Sequence, residues 1–235
     1  MALFSLPTLY AHTYSFPASD CEVTESILEK QNLISSVVEF YQQKAFKRYQ
    51  QNIFVEFNNS ENSNSCNVLQ MSAGARRGPR IKVAHGILKN FKPTSLVHAV
   101  CHELGHLLGK VSGTDAGYTG TTYEHDLSVE GEADYFAGTC VLEYLLRNSP
   151  NSSSNLYPLI RKIGIESYGA IYPNTFIDES RALNEIYTAD SGINSDYPNV
   201  SCRMLSYLSG TLNNPRPKCW FNPILKPTNS FGQAL

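Results

Sequence analysis

His102-Glu103-Leu104-Gly105-His106 is the stretch of this chain best equipped for chemistry. Its two histidines are four residues apart. On a helix that spacing puts both imidazoles on one face, where they can hold one ion together. Neutral imidazole is a good zinc ligand, and Glu103 falls beside the place where an activated water would stand. Two histidines do not complete a zinc site, so a third ligand must come from elsewhere.

The candidate stretch is Glu130-Gly131-Glu132-Ala133-Asp134. Glu130 and Asp134 are also four apart and share a helix face. Glu132 is turned by about 200° from Glu130 and points elsewhere. The spacing therefore favours Glu130 as third ligand, with Glu132 as the alternative. Asp134 is then placed to accept a hydrogen bond from the outer nitrogen of His102, which fixes the tautomer of that ring. Such a site takes one Zn2+ per chain and leaves a coordination position for water. Glu103 would be the general base of a hydrolysis.

These residues need helices to carry them. The chain reads as α+β: a helical core bearing the two motifs, with a small sheet at the edge of the cleft. Ile27, Ile34, Val38, Tyr41 and Ala45 form an apolar stripe that predicts a helix over 24–46, with Thr24 as its cap. Strands are expected at 53–57, 67–73 and 80–88, with a turn over 74–79. The strand preceding the metal helix is expected at the rim of the cleft, where an extended peptide can pair with it. Pro93-Thr94-Ser95 opens the metal helix, with Thr94 or Ser95 capping it, and the helix runs to about Gly109. Residues 110–127 read as a loop. Ser128 is expected to cap the next helix, which ends near Asn148. Helical pieces follow over 156–190 and 196–211, and a proline-rich tail after Asn213 packs Trp220 and Phe221 onto the body.

The chain of 235 residues is 42% apolar and carries a formal net charge of −2. It is long enough for one substantial core, so a single domain over 1–235 is expected, with 1–20 as an N-terminal segment and 213–235 as a tail. No basic run argues for nucleic acid, and no apolar run reaches the roughly 20 residues of a membrane span. The apolar first 11 residues lack a basic leader region; a leader remnant, an added start and a strand all remain open. Six cysteines without a C-x-x-C pair fit disulfides in an exported, periplasmic or secreted protein. Cys101–Cys140, Cys202–Cys219 and Cys21–Cys66 are the expected pairs, among fifteen possible connectivities.

H-E-L-G-H followed by E-G-E-A-D resembles the gluzincin zinc metallopeptidases. It is most similar to the HtpX-like and CAAX-prenyl-peptidase-like group, whose pattern is H-E-x-x-H and then E-x-x-x-D. The resemblance implies an endopeptidase acting on peptide or protein substrates, with Glu130 as ligand and Asp134 supporting it. That group often carries H-P-x-x-x-x-R further on. Here the matching piece is Tyr197-Pro198-Asn199-Val200-Ser201-Cys202-Arg203, with tyrosine in place of histidine. The resemblance implies a substrate or ligand-supporting contact for Arg203 and an oxyanion donor at Tyr197. It covers residues 95–140 and a short piece near 200. The membrane-embedded members have spanning helices, so a soluble form is expected here.

The remaining histidines read more plainly. His98 lies one turn before His102, but its Cα is about 12 Å from that of His106, too far along the axis to share the ion. It reads as a core or ligand-supporting histidine. His85 reads as an exposed edge-strand residue, His125 as a loop residue, and His12 has no assignable role. Two other classes compete with the peptidase. One is a non-catalytic protein with a structural or relic zinc site. The other is a di-iron carboxylate protein, which needs a second E-x-x-H that this sequence lacks.

Overall fold

The computed structural model describes residues 13–15, 21, 23–58, 66, 69–75, 77–109, 130–148, 156–172 and 200–217. The elements in order are β1 (Thr13–Ser15), α1 (Glu25–Tyr49), β2 (Phe54–Asn58), β3 (Met71–Gly74), β4 (Arg80–Ala84), α2 (His85–Asn90), α3 (Pro93–Leu108), α4 (Glu130–Asn148), α5 (Leu156–Ile171) and α6 (Val200–Thr211). The class is α+β, mostly helical with a small sheet.

The sheet runs β1-β2-β4-β3. β1 and β4 flank β2 in parallel, and β3 joins β4 antiparallel, with Met71 opposite Val83 and Gly74 opposite Arg80. Val55, Phe57, Ile81 and Val83 alternate along their strands and are all buried. Burial of each such side chain contributes roughly 1.5–3 kcal/mol. α1 covers this core with its expected stripe, since Ile27, Ile34, Val38, Tyr41 and Ala45 are all buried. The buried Gln42 closes the ladder start: its Nε2 donates to Ile53 O at 2.9 Å, and Ile53 N donates to its Oε1 at 2.7 Å.

α3 is the centre of the molecule and packs against α1, α4, α5 and β3. Leu96, Val97, Val100, Leu104 and Leu107 are buried around its whole circumference, as a core helix requires. α1 also satisfies the end of α3, where helix carbonyls lack partners. Tyr49 Oη donates to Leu107 O at 2.6 Å and Arg48 Nη1 to Gly109 O at 2.8 Å.

Three local expectations are corrected. The segment 80–88 is not one strand: β4 stops at Ala84 and α2 begins at His85, which is 3% exposed rather than on an open edge. Thr24 stands at the N-cap of α1 without a side-chain cap bond. α3 starts at Pro93 with Lys92 as N-cap, so neither Thr94 nor Ser95 caps it. Proline at the first helical position has no amide hydrogen to satisfy and a φ already set for the helix, so the start falls there. The loop over 110–127, His12, His125, Ser128, Trp220 and Phe221 lie outside the described residues.

Candidate metal centre

The centre is made where α3, α4 and α6 meet at backbone distance. Gly105, inside the H-E-L-G-H stretch, is the reason α3 and α4 come so close. A Cβ built there would stand 2.6 Å from both Cα and O of Ala133. A Cβ on Gly138 of α4 would collide with Tyr207 O, and one on Gly210 of α6 with Tyr135 O. The Cys101–Cys140 disulfide ties α3 to α4 with the two Cα atoms 5.6 Å apart. Cys21–Cys66 is the second disulfide. Cys202 is buried and also disulfide-bonded, while its expected partner Cys219 lies outside the described residues.

This packing brings together His102 and His106 from α3 and Glu130 from the first turn of α4. One ligand atom from each lies within 4.8 Å of the others, so the three could hold a metal ion. His102 Nε2 is 3.1 Å from His106 Nε2 and 3.1 Å from Glu130 Oε2, and His106 Nε2 is 3.5 Å from Glu130 Oε1. Glu103, on the same helix, is 8% exposed and lines the adjoining cavity. Glu132 is directed away: Arg216 Nη2 donates to its Oε2 at 2.8 Å, and Arg216 Nε also binds it. That pairing sets Glu132 apart from the cluster.

Asp134 is fully buried behind the cluster. Its Oδ1 is 2.8 Å from His102 Nδ1, which leaves Nε2 to face Glu130 and His106. Arg203 from α6 answers the negative charge. Its Nε donates to Asp134 Oδ2 at 2.8 Å, and its Nη2 donates to Asp134 Oδ1 at 3.0 Å and lies 3.0 Å from Glu130 Oε2. Tyr168 Oη donates to Asp134 Oδ1 at 2.9 Å, and Arg203 Nη1 donates to Tyr172 Oη at 2.8 Å.

The charges set one another's protonation. Burial works against ionised Asp134, but Arg203 and His102 outweigh it and hold the carboxyl down at about 2. Burial likewise opposes ionised Glu130, and hydrogen bonds from His102 and His106 bring it far below the usual carboxylate range. Without metal, burial pushes His102 down while Asp134 and Glu130 raise it to about 10. Burial, helped by the neighbouring His102 charge, drives His98 down to about 3.

The cavity beside the cluster measures about 260 Å3. Its walls come from α3, from Ile87 of α2, from Ile171 of α5, and from Leu69, Gln70 and Met71 at the start of β3. β3 ends the sheet order among the described residues. The strand at the cavity is therefore β3, not the expected 80–88 just before the metal helix, because β4 is enclosed between β2 and β3.

Of the residues singled out by sequence, His102, Glu103, His106, Glu130, Asp134 and Arg203 come together here. Tyr197 lies outside the described residues. Tyr168, Tyr172 and Arg216 belong to no motif in the sequence. Only the tertiary fold brings Tyr168 to Asp134, and no spacing rule reaches across that separation. No family model, no curated protein and no solved structure matches the chain.

Proposed function

We propose that the chain is a zinc-dependent metalloendopeptidase of gluzincin type, with a zincin-like helical core, acting on peptide or protein substrates. The observation that supports this most is the convergence of His102, His106 and Glu130 beside buried Glu103, at the wall of a cavity rimmed by an edge strand. Two imidazoles and one carboxylate suit zinc and leave a coordination position open. The Asp134–His102 contact at 2.8 Å supports the fit, because it turns Nε2 toward the other two donors.

Zinc bound by these three residues supplies a Lewis acid for a scissile carbonyl and lowers the pKa of the attacking water. Glu103 takes the proton from that water and delivers it to the leaving amine. Arg203, which lines the cavity, holds Asp134 and Glu130 in place and can donate toward the oxyanion, a role in which Tyr197 is the other candidate. The outer edge of β3 offers backbone groups to an extended substrate. Export to an oxidising compartment fits the two disulfides, and among the described residues no helix is long and apolar enough to cross a membrane.

One observation favours the non-catalytic reading. Arg203 Nη2, 3.0 Å from Glu130 Oε2, already neutralises the third ligand. Turnover separates the two, and zinc binding is its first condition. The peptidase reading expects one tightly held zinc per chain by elemental analysis, at least a hundredfold weaker binding in His106→Ala and Glu130→Ala, and unchanged stoichiometry in Glu132→Gln. A purified protein that holds no zinc at micromolar concentrations ends that reading.

A further inference from the structure

One side chain at the cavity has no role in the chemistry above. His98, one turn before His102 on α3, is 2% exposed and lines the cavity. Neither Nδ1 nor Nε2 has a hydrogen-bond partner among the described residues. Tyr168 and Tyr207 hold the ring edge-to-face, with centroids 4.9 and 4.8 Å away. Their hydroxyls are directed elsewhere, to Asp134 and to Ile160 O. Buried polar atoms without partners destabilise a fold, and natural cores rarely keep them without a use.

The surroundings say what that use is. The cavity around His98 is walled by the apolar Leu69, Met71, Ile87, Phe91 and Ile171. His102, Glu103, Glu130 and Arg203 also line the cavity, but Arg203 and Glu130 already pair with each other, and a charged side chain seated against the apolar wall would lose its hydration. A wholly aliphatic one would leave the imidazole unpaired. A side chain with an apolar stem and a neutral hydrogen-bonding tip satisfies both. Because the imidazole is one donor and one acceptor, it serves a carboxamide or a hydroxyl equally. A half-turn of the ring exchanges each nitrogen with a carbon, so a nitrogen can be presented wherever a carbon faces the cavity. The rise of an α-helix places this point about 6 Å from the metal ligands toward the start of α3, within one side chain's reach of a carbonyl at the centre.

We propose that His98 is a specificity-determining residue, whose imidazole hydrogen-bonds the uncharged polar tip of a substrate side chain lodged against the apolar wall of the cavity beside the metal centre. This rests on the metallopeptidase reading for the substrate, but not for the cost of the unpartnered ring.

Two measurements separate those parts. The first uses metal-free protein. His98→Phe keeps a ring between the two tyrosines and removes both nitrogens, and its melting temperature should rise by about 2–4 °C. His98→Leu serves as a second variant in case the larger ring is not accommodated. A fall in both shows that His98 stabilises the core and overturns the proposal. The second uses the zinc-loaded protein and peptide hydroxamates bearing a glutamine or a leucine side chain, with binding read by calorimetry. The wild type should prefer glutamine about tenfold, the equivalent of one hydrogen bond, and His98→Phe should prefer leucine. Equal binding of both ligands, or a preference that survives the substitution, overturns the proposal. Zinc-loaded protein that binds neither hydroxamate removes the substrate and the proposal with it, and the source of failure is then the metallopeptidase reading.

Discussion

The two halves of this molecule are held together by different physics. On one side α1, β2 and β4 contribute apolar side chains to a common core, and the buried Gln42 bonds Ile53 through both of its amide atoms. On the other side α3, α4 and α6 meet through glycines and enclose Asp134 and Arg203, with His102 and Glu130 at their margin. The first half gains stability from area, and its contacts can be traded one methyl group at a time. The second half depends on complete pairing, because each buried charge is tolerable only while its partners are present. A fold organised only for stability has no need of the second arrangement. A metal centre does, because its ligands must be aimed and kept in one protonation state.

Breaking the charged half should have the largest effect. Arg203→Met leaves Asp134 and Glu130 without their cation and should cost about 3–5 kcal/mol in denaturant unfolding. Gly105→Ala comes next: its new methyl group would have to push Ala133 away, at about 1–3 kcal/mol, and zinc affinity should fall with it. A Gly105→Ala protein with wild-type zinc affinity would show that the α3–α4 approach does not set the site.

One part of the pH dependence follows from His98. Its folded value lies near 3, below its ordinary 6.5, so between those values the unfolded chain binds a proton that the folded chain refuses. Stability therefore falls as the pH drops through that window, by about 1–2 kcal/mol between pH 6.5 and 5, and is unaffected by this group above it. His98→Phe should flatten that part of the profile. In the apolar half, Ile34→Val should cost only about 0.5–1.5 kcal/mol and leave zinc binding alone.

The same contrast explains what could be read from the sequence. Periodic features were legible: the α1 stripe, the i, i+4 pairs His102/His106 and Glu130/Asp134, and the turn of Glu132 away from them. The Cys101–Cys140 pair was legible because two helices packed around one ion can also bring neighbouring sulfurs together. The break after Ala84 was not, because Gly86 alone in His85-Gly86-Ile87-Leu88 does not distinguish a bulged strand from a short buried helix. The cap preference of Thr94 and Ser95 points two or three residues past the true N-cap of α3, Lys92, which Pro93 sets. Tyr168 and Tyr172 join the site only through the packing of α5, Arg216 reaches Glu132 from the segment after α6, and nothing local marks them.

The most direct test of the account is cleavage of an unfolded protein by the zinc-loaded chain, beside Glu103→Gln and a chelated sample. The account predicts cleavage by the wild type and none after chelation. Glu103→Gln should still hold one zinc while its turnover falls by at least about a hundredfold, the usual contribution of a general base. Glu103→Gln turning over as fast as the wild type, or cleavage that persists without metal, would contradict it.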